Sequence, residues 1–334
     1  MRRTSQLGGE GDGESSGKGD GKGGTERSGV EIEKLPRILA TVNHREQAQY
    51  IRLFCVSLKK HLANLSKRGP HRVLVGDLDY AGLPGKIYAP AEGNSLPAVA
   101  FGHDWRMPLK HYRHTLRHLA SWGIVVAAPE TEIGVWPDHR DFASDLETSL
   151  QIAAGVKLGQ GNITVSPNKL GVIGHGMGGG AAVLAALENE KVQCVAALYP
   201  AQTSPSSQVA AKHIEKPGLI IGPEKSDVFS AGNPPELAKN WKGPVCYRAV
   251  DNGKQATFTE DTLRKFFLGI GVGKASALET ARGLLTGFLL HQLNGDKQYA
   301  DFSDPEAEGK GFVSATGDEL DEQQKPSGLL GKLS

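Results

Sequence analysis

The stretch from Lys169 to Gly180, Lys-Leu-Gly-Val-Ile-Gly-His-Gly-Met-Gly-Gly-Gly, decides the fold. It reads as a buried strand, a sharp turn and a glycine-rich helix start, which is the layout of a nucleophile elbow with the pattern G-x-S-x-G. At the position of the serine the chain has Gly176, between His175 and Met177. Glycine has no side chain that can attack a substrate. The sequence therefore predicts the elbow without its nucleophile.

Glycines flank the turn at both sides of Gly176. An elbow brings the strand and the helix backbones together, and Gly174 and Gly178 supply the small residues that this approach needs. The central residue of such a turn is strained, at a cost of about 1–3 kcal/mol for a residue with a side chain. Because glycine relieves that strain, we expect Gly176 to stabilise the turn while it removes the chemistry.

Outward from the elbow, short apolar runs alternate with helical patterns. The runs predict strands at 72–75, 86–89, 96–101, 123–128, 170–174, 192–198, 218–221 and 245–250, and the patterns predict helices near 108–122, 140–155, 177–188 and 277–294. Continuous apolar strands that alternate with helices are typical of a mostly parallel sheet covered on both faces. The fold class predicted from the residues is α/β.

Composition excludes several function classes. The 334 residues carry 38 basic and 37 acidic side chains, a net charge of +1, so bulk charge gives no reason to expect nucleic-acid binding. No apolar run reaches the ~18 residues of a membrane span, and no apolar segment follows the N-terminal Met-Arg-Arg as in a signal peptide. Cys55, Cys194 and Cys246 are interpreted as buried filler, not as a disulfide framework or a zinc site. We expect a cytoplasmic protein.

The chain divides into four segments by composition. Residues 1–30, rich in glycine and charge, are predicted to be a disordered tail, and 304–334 a second polar tail. Region 31–70 contains an amphipathic helix pattern over 45–67, and 71–303 is the predicted globular domain. The other face of this helix is basic, with Arg45, Arg52, Lys59, Lys60 and Lys67. Such a helix either packs on the domain or offers a surface to an acidic protein partner or a membrane.

Five segments together carry a resemblance to a known family. They are Leu-Pro-Ala-Val-Ala-Phe-Gly-His-Asp-Trp at 96–105, Leu-Ala-Ser-Trp-Gly-Ile-Val-Val-Ala-Ala-Pro at 119–129, Gly-His-Gly-Met-Gly-Gly-Gly at 174–180, Pro-Gly-Leu-Ile-Ile-Gly at 217–222 and Asp-Lys-Gln-Tyr-Ala-Asp-Phe at 296–302. Over 71–303 the chain resembles the dienelactone hydrolase-like α/β-hydrolases, especially the branch of bacterial cutinases and polyester hydrolases. The resemblance implies an α/β-hydrolase fold with an added N-terminal helix. Similar actinobacterial proteins imply a context of acyl-ester or envelope-lipid metabolism.

The same resemblance implies that the catalytic triad is degenerate. Members carry the acid in a pattern like Asp-x-Val-Ala-Pro, which places Ser226 at the acid position, or Asp227 after a shift of one residue. Members carry the base in a pattern like Gly-Ala-Ser-His, which places Gln255 at the base position. No histidine occurs between His213 and His291, and His291 belongs to the predicted C-terminal helix. Nucleophile, base and acid are then all replaced.

Backbone groups of the site survive the loss of side chains. The expected oxyanion hole uses the N–H of Met177 and the loop of His103, Asp104 and Trp105. A small acyl, ester-like or anionic ligand is the expected partner there, with Trp105 either as the wall of an apolar pocket or as a packing residue. A metal held by His103, Asp104 and His175 is a conceivable alternative. We expect no metal and no cofactor.

Three functions are consistent with these residues. The first is a non-catalytic α/β-hydrolase homologue with a binding, regulatory or scaffolding role. The second is an active carboxylic-ester hydrolase with a non-standard site. The third is a membrane-surface or complex-assembly factor that uses the helix over 45–67. The missing serine at 176 favours the first function.

Overall fold

A nine-stranded sheet organises the part of the chain that the structure describes. The computed structural model describes residues 58–224, 231–260 and 275–324. The strands are β1 (Val73–Asp77), β2 (Gly85–Pro90), β3 (Gly93–Gly102), β4 (Val125–Pro129), β5 (Ile163–His175), β6 (Val192–Leu198), β7 (Gly218–Pro223), β8 (Val245–Val250) and β9 (Phe312–Ala315). Their order in the sheet is β1-β2-β4-β3-β5-β6-β7-β8-β9.

The direction of the strands changes along the sheet. β2 pairs antiparallel with both β1 and β4. From β4 across β3, β5, β6 and β7 to β8, neighbouring strands pair parallel. β9 pairs antiparallel with β8. Parallel strands need crossover connections, and the helices between β3 and β8 supply them. This mostly parallel sheet with an antiparallel start confirms the α/β-hydrolase fold.

Helices cover both faces of the sheet. They are α1 (residues 58–65 of the described chain), α2 (Arg113–Ser121), α3 (His139–Gly155), α4 (Met177–Glu188), α5 (Ser207–Ala211), α6 (Pro234–Lys239), α7 (Ala275–Asn294) and α8 (Glu319–Gln324). One hydrophobic core contains side chains of α3 to α6 and α8, and a second core contains side chains of α1, α2 and α7. Within β3, Ala98 and Ala100 face the first core, whereas Val99 and Phe101 face the second. This alternation explains why the strand is apolar throughout.

The helix α1 packs on the domain. Its side chains Leu58, Leu62 and Leu65 are buried in the second core, and each contributes about 1.5–3 kcal/mol of hydrophobic stabilisation. Lys59 and Lys60 lie on its exposed face. The apolar side of the described part of this helix is therefore used by the domain itself. The preceding residues 1–57, which include the predicted disordered tail, lie outside the described residues.

The sheet extends beyond the predicted domain boundary at 303. β9 pairs with β8, and Phe312 and Ala315 are buried on opposite sides of it. After it, α8 packs on α6, where Leu320 is buried and Lys239 pairs with Asp321 at 2.7 Å. The interpretation of 304–334 as a polar tail missed both elements. A four-residue strand and one and a half turns of acidic helix carry too little periodicity to be detected.

The described residues cover the predictions on cysteines and membrane spans only in part. Cys194 and Cys246 are buried and free, which agrees with their interpretation as filler, and Cys55 lies outside the described residues. Burial raises the pKa of the Cys246 thiol to about 11. In the described ranges, no helix has the length and apolarity needed to cross a bilayer.

A buried histidine between α2 and α7 predicts a loss of stability in acid. His118 is 6 % exposed, and its Nε2 lies 3.1 Å from Thr286 Oγ1. Burial, with a smaller contribution from the charge of Arg282, lowers its pKa from 6.5 to about 4. Below pH 6.5 His118 is therefore protonated in the unfolded chain, whereas in the folded chain it stays neutral until the pH approaches 4. Stability should be fully present above pH 6.5 and fall by roughly 3 kcal/mol towards pH 4.

The measurement is urea unfolding between pH 7.5 and 4 for the wild type and His118→Gln. The glutamine cannot be protonated. We therefore expect the free energy of unfolding of the variant to depend less steeply on pH in this window, by the contribution of about one proton. The exposed His213 offers a matched control, and His213→Gln should keep the wild-type profile. Equal slopes for His118→Gln and the wild type would contradict the assignment.

Candidate functional site

The centre of the site is the turn between β5 and α4. β5 ends at His175, Gly176 has φ 55° and ψ −119°, and α4 begins at Met177. A Cβ on Gly178 would lie 2.2 Å from the carbonyl carbon of Gly102, and one on Gly174 would lie 2.0 Å from the Gly178 oxygen. Only glycines allow this contact between strand and helix backbones. The turn is thus an elbow, and its centre has the strained backbone conformation that glycine tolerates.

The carboxylate of Asp104 lies directly above this turn. Its Oδ1 accepts hydrogen bonds from the backbone N–H of Met177 at 2.9 Å and of Trp105 at 2.8 Å. Its Oδ2 accepts a hydrogen bond from Gln255 Nε2 at 2.8 Å. Hydrogen bonds to a charged group contribute roughly 1.5–3 kcal/mol each, and the N-terminus of α4 adds a favourable field for an anion. The carboxylate is firmly held in the predicted oxyanion position.

Asp104 also occupies the space of a side chain at position 176. A Cβ built on Gly176 would lie 2.0 Å from Asp104 Oδ1, 2.2 Å from Cγ and 2.6 Å from Oδ2. These distances are far shorter than a van der Waals contact. Hence a nucleophile on residue 176 and the observed position of Asp104 exclude each other.

A chain of buried and partly buried hydrogen bonds links Asp104 to Gln255. The N–H of Asp104 donates to the Tyr112 hydroxyl at 3.1 Å, and that oxygen lies 2.9 Å from His175 Nδ1. His175 Nε2 lies 2.9 Å from the backbone oxygen of Gln255. These partners favour the His175 tautomer with the proton on Nε2, which donates to the carbonyl while Nδ1 accepts from the tyrosine. The hydrogen bond between the Gln255 and Asp104 side chains then closes this chain of hydrogen bonds into a circuit beside Gly176.

His103 anchors the loop that carries Asp104. Its fully buried ring lies between two backbone oxygens, with Nδ1 2.8 Å from that of Asp104 and Nε2 2.7 Å from that of Thr131. The ring also packs 4.7 Å from the ring of Phe142 on α3. His103 therefore acts as a structural support of the loop, with both ring nitrogens engaged by the backbone.

An apolar rim of exposed side chains lies beside the site. Trp105 is 48 % exposed, and its Nε1 donates to the Val135 oxygen at 3.3 Å. Val135 belongs to the loop after β4. In that loop Trp136 is 92 % exposed, and Ile133 and Val135 are also exposed. Sequence analysis missed this loop. The run from Ile133 to Trp136 at the carboxyl end of β4 was the available signal, because such ends form the ligand crevice of parallel sheets.

The structure describes only part of the predicted site residues. The structure brings Met177, Asp104 and Gln255 together, and Gln255 donates to the Asp104 oxygen that would lie 2.6 Å from a Cβ at position 176. Ser226 and Asp227 lie outside the described residues, so the position of the acid stays a prediction. Among the described residues, no group of three or more His, Cys, Asp or Glu side chains is arranged to hold a metal ion.

Tyr112 and His291 complete the comparison between the predicted and observed positions. Tyr112 falls inside the helix predicted near 108–122, and the structure places it at the start of α2, where its hydroxyl joins the hydrogen bonds beside Gly176. No sequence signal distinguished it from a packing residue. His291 lies in α7 as predicted, with Nδ1 2.7 Å from Ser303 Oγ. Burial lowers its pKa.

Comparison with known proteins adds a family. The sequence profile described as PET hydrolase-like matches residues 66–243, which is more than half of the 334 residues. The matched range runs from β1 through α6 and contains Asp104 and Gly176, whereas Gln255 lies beyond its end. No curated protein matches the chain.

Proposed function

The chain belongs to the PET hydrolase-like family, and from that premise we propose that it is a non-catalytic member with a binding, regulatory or scaffolding role. The observation that carries the proposal is the centre of the elbow. Gly176 offers no nucleophile, and the Asp104 carboxylate fills the space where one would stand. Gln255, which donates to the Asp104 carboxylate in that space, cannot serve as a base, because an amide does not take up a proton at neutral pH.

Catalysis by the oxyanion hole alone is also disfavoured. Such residual catalysis reaches ~10³–10⁴ over water in enzymes that have lost their triad. It needs free backbone donors at the position of the developing negative charge. Here the Met177 N–H already donates to Asp104, and a second negative charge beside this carboxylate is repelled. This argument weighs against the alternative of an ester hydrolase with a non-standard site.

The rim of the site supports a binding role. Trp136 is almost fully exposed, and Trp105, Ile133 and Val135 extend the apolar surface around it. Exposed aromatic side chains beside a crevice are typical of surfaces that contact a ligand or a protein. An acyl or ester-like ligand or a protein partner at this rim is part of the proposal.

The test of non-catalysis is fluorophosphonate labelling combined with the turnover of short-chain p-nitrophenyl esters. We expect no labelled serine in the folded protein and no turnover above the buffer rate, because no activated nucleophile stands at the elbow. The same measurement on heat-unfolded protein corrects for non-specific reaction. Labelling of a defined serine in the folded protein, mapped by mass spectrometry and accompanied by turnover, would overturn the proposal.

A variant with a rebuilt site provides the positive control. Gly176→Ser, Gln255→His and Ser226→Asp restore the residues that the family resemblance implies, but the serine has no room while Asp104 remains. The set therefore also needs Asp104→Gly. We expect labelling of Ser at 176 in the fourfold variant and none in the set that keeps Asp104.

A further inference from the structure

Three hydrogen-bond donors from three separate elements converge on one small anion, the Asp104 carboxylate. Met177 N–H belongs to the start of α4, Trp105 N–H to the loop after β3, and Gln255 Nε2 to the 3₁₀ helix Gln255–Phe258. Two donors address one oxygen and the third addresses the other. A planar carboxylate satisfies this arrangement, because it presents two acceptor oxygens and no donor.

The pocket is shaped by the absence of a side chain at Gly176. A Cβ there would lie 2.0 Å from Asp104 Oδ1, so the glycine supplies the volume that the carboxylate fills. The Tyr112–His175 hydrogen bond, with the bonds from the Asp104 N–H to Tyr112 and from His175 to the Gln255 backbone, anchors the loop of Asp104 and the Gln255 backbone without using the Asp104 side chain. The cradle should therefore persist when the carboxylate is removed.

From this geometry we propose that Asp104 is an intramolecular plug of a carboxylate-binding pocket, and that shortening its side chain converts the pocket into a site for a small monocarboxylate. The wild-type protein keeps the pocket closed with its own side chain, so an external anion competes with a tethered one at high effective concentration. This inference rests on the proposed function, because Asp104 can close the pocket only where residue 176 carries no nucleophile.

The test uses full-length Asp104→Ala and Asp104→Gly with formate and acetate as probes. Formate replaces the group removed in Asp104→Ala, and acetate replaces the group removed in Asp104→Gly. We expect the melting temperature of each variant to rise saturably with its matching anion, by about 3 °C or more near saturation. The wild type should respond by less than about 1 °C, the level of a general salt effect. Sodium chloride, formamide and acetamide at equal concentration are the controls.

Asp104→Asn provides a matched variant that keeps the pocket filled. Its side chain has the size of aspartate, so we expect no response to formate. In the Asp104→Ala background, Gln255→Met removes one of the three donors and should weaken formate binding at least tenfold. Isothermal titration with formate gives this ratio directly.

Each outcome decides the proposal. Equal responses of Asp104→Ala, Asp104→Asn and the wild type to formate would overturn it. Where Asp104→Ala does not fold in buffer, refolding in formate is compared with refolding in formamide: folding in formate alone supports the plug, and failure in both overturns it. Serine labelling leaves this result untouched, so a failure of the proposed function remains distinguishable from a failure of the plug.

Discussion

Gly176→Ser is expected to lower the free energy of unfolding by about 4 kcal/mol, the combined effect of overpacking, about 1–3 kcal/mol, and backbone strain of similar size. The serine Cβ would lie 2.0 Å from Asp104 Oδ1, and the backbone at this position has φ 55°. Either Asp104 leaves its three donors or the elbow shifts. Urea unfolding at pH 7.5 measures the loss.

A double-mutant cycle separates the two causes. In the Asp104→Gly background the steric conflict is gone, so Gly176→Ser should cost only the strain of the turn, and the coupling between the two sites should reach about 1–3 kcal/mol. Gly134→Ser makes the same change at a position where a Cβ meets nothing within 4 Å, and we expect little effect there. Additive losses at 104 and 176 would show that the two positions do not compete for space.

Glu260→Ala is expected to destabilise the protein by about 3–5 kcal/mol, because it leaves Arg282 buried without its partner. Glu260 Oε1 lies 2.7 Å from Arg282 Nη2, and the two side chains are only 11 % and 14 % exposed. The Glu260 carboxylate also accepts the backbone N–H of His114 and Thr115 at 2.9 and 2.8 Å. The substitution therefore removes the acceptor of two N–H groups at the start of α2 as well as the charged partner of Arg282.

Two variants test whether the buried charge carries this effect. Glu260→Gln keeps an acceptor for α2 but removes the charge, so its loss should be intermediate. Replacing both partners, Glu260→Leu with Arg282→Met, should recover part of the loss, because no charge stays buried alone. The exposed pair of Lys242 and Glu215 is the matched control, and Glu215→Ala should leave the urea midpoint unchanged. Equal losses at 260 and 215 would contradict the argument.

Much of the fold could be predicted from the sequence, because its signals are local. The apolar strand and the glycines around Gly176 specify a strand-turn-helix unit within twelve residues. The apolar runs from 96–101 to 245–250 lie within or next to strands β3 to β8. β9 and α8 escaped, because Phe312 and Leu320 stand in short polar segments and gain their burial only against the finished sheet.

The candidate site was predictable as a set of positions but not as an arrangement. The resemblance singled out Asp104, Gly176 and Gln255 and treated the oxyanion pocket as open to a ligand. The structure fills that pocket with Asp104 and joins it to Gln255 through a side-chain bond. No local pattern around Asp104 indicates which way its carboxylate points, since its three partners include two that are distant in sequence.

By itself, the sequence determined the α/β architecture, the elbow and the absence of a nucleophile at Gly176, because each depends on residues that are neighbours along the chain. Only the tertiary structure decided what occupies the vacated space. Parallel pairing of β3 with β5 sets Gly102 beside Gly174, and this register carries Asp104, two residues further on, across to Gly176. A contact between residues 72 positions apart is fixed by strand register, which is a property of the assembled sheet.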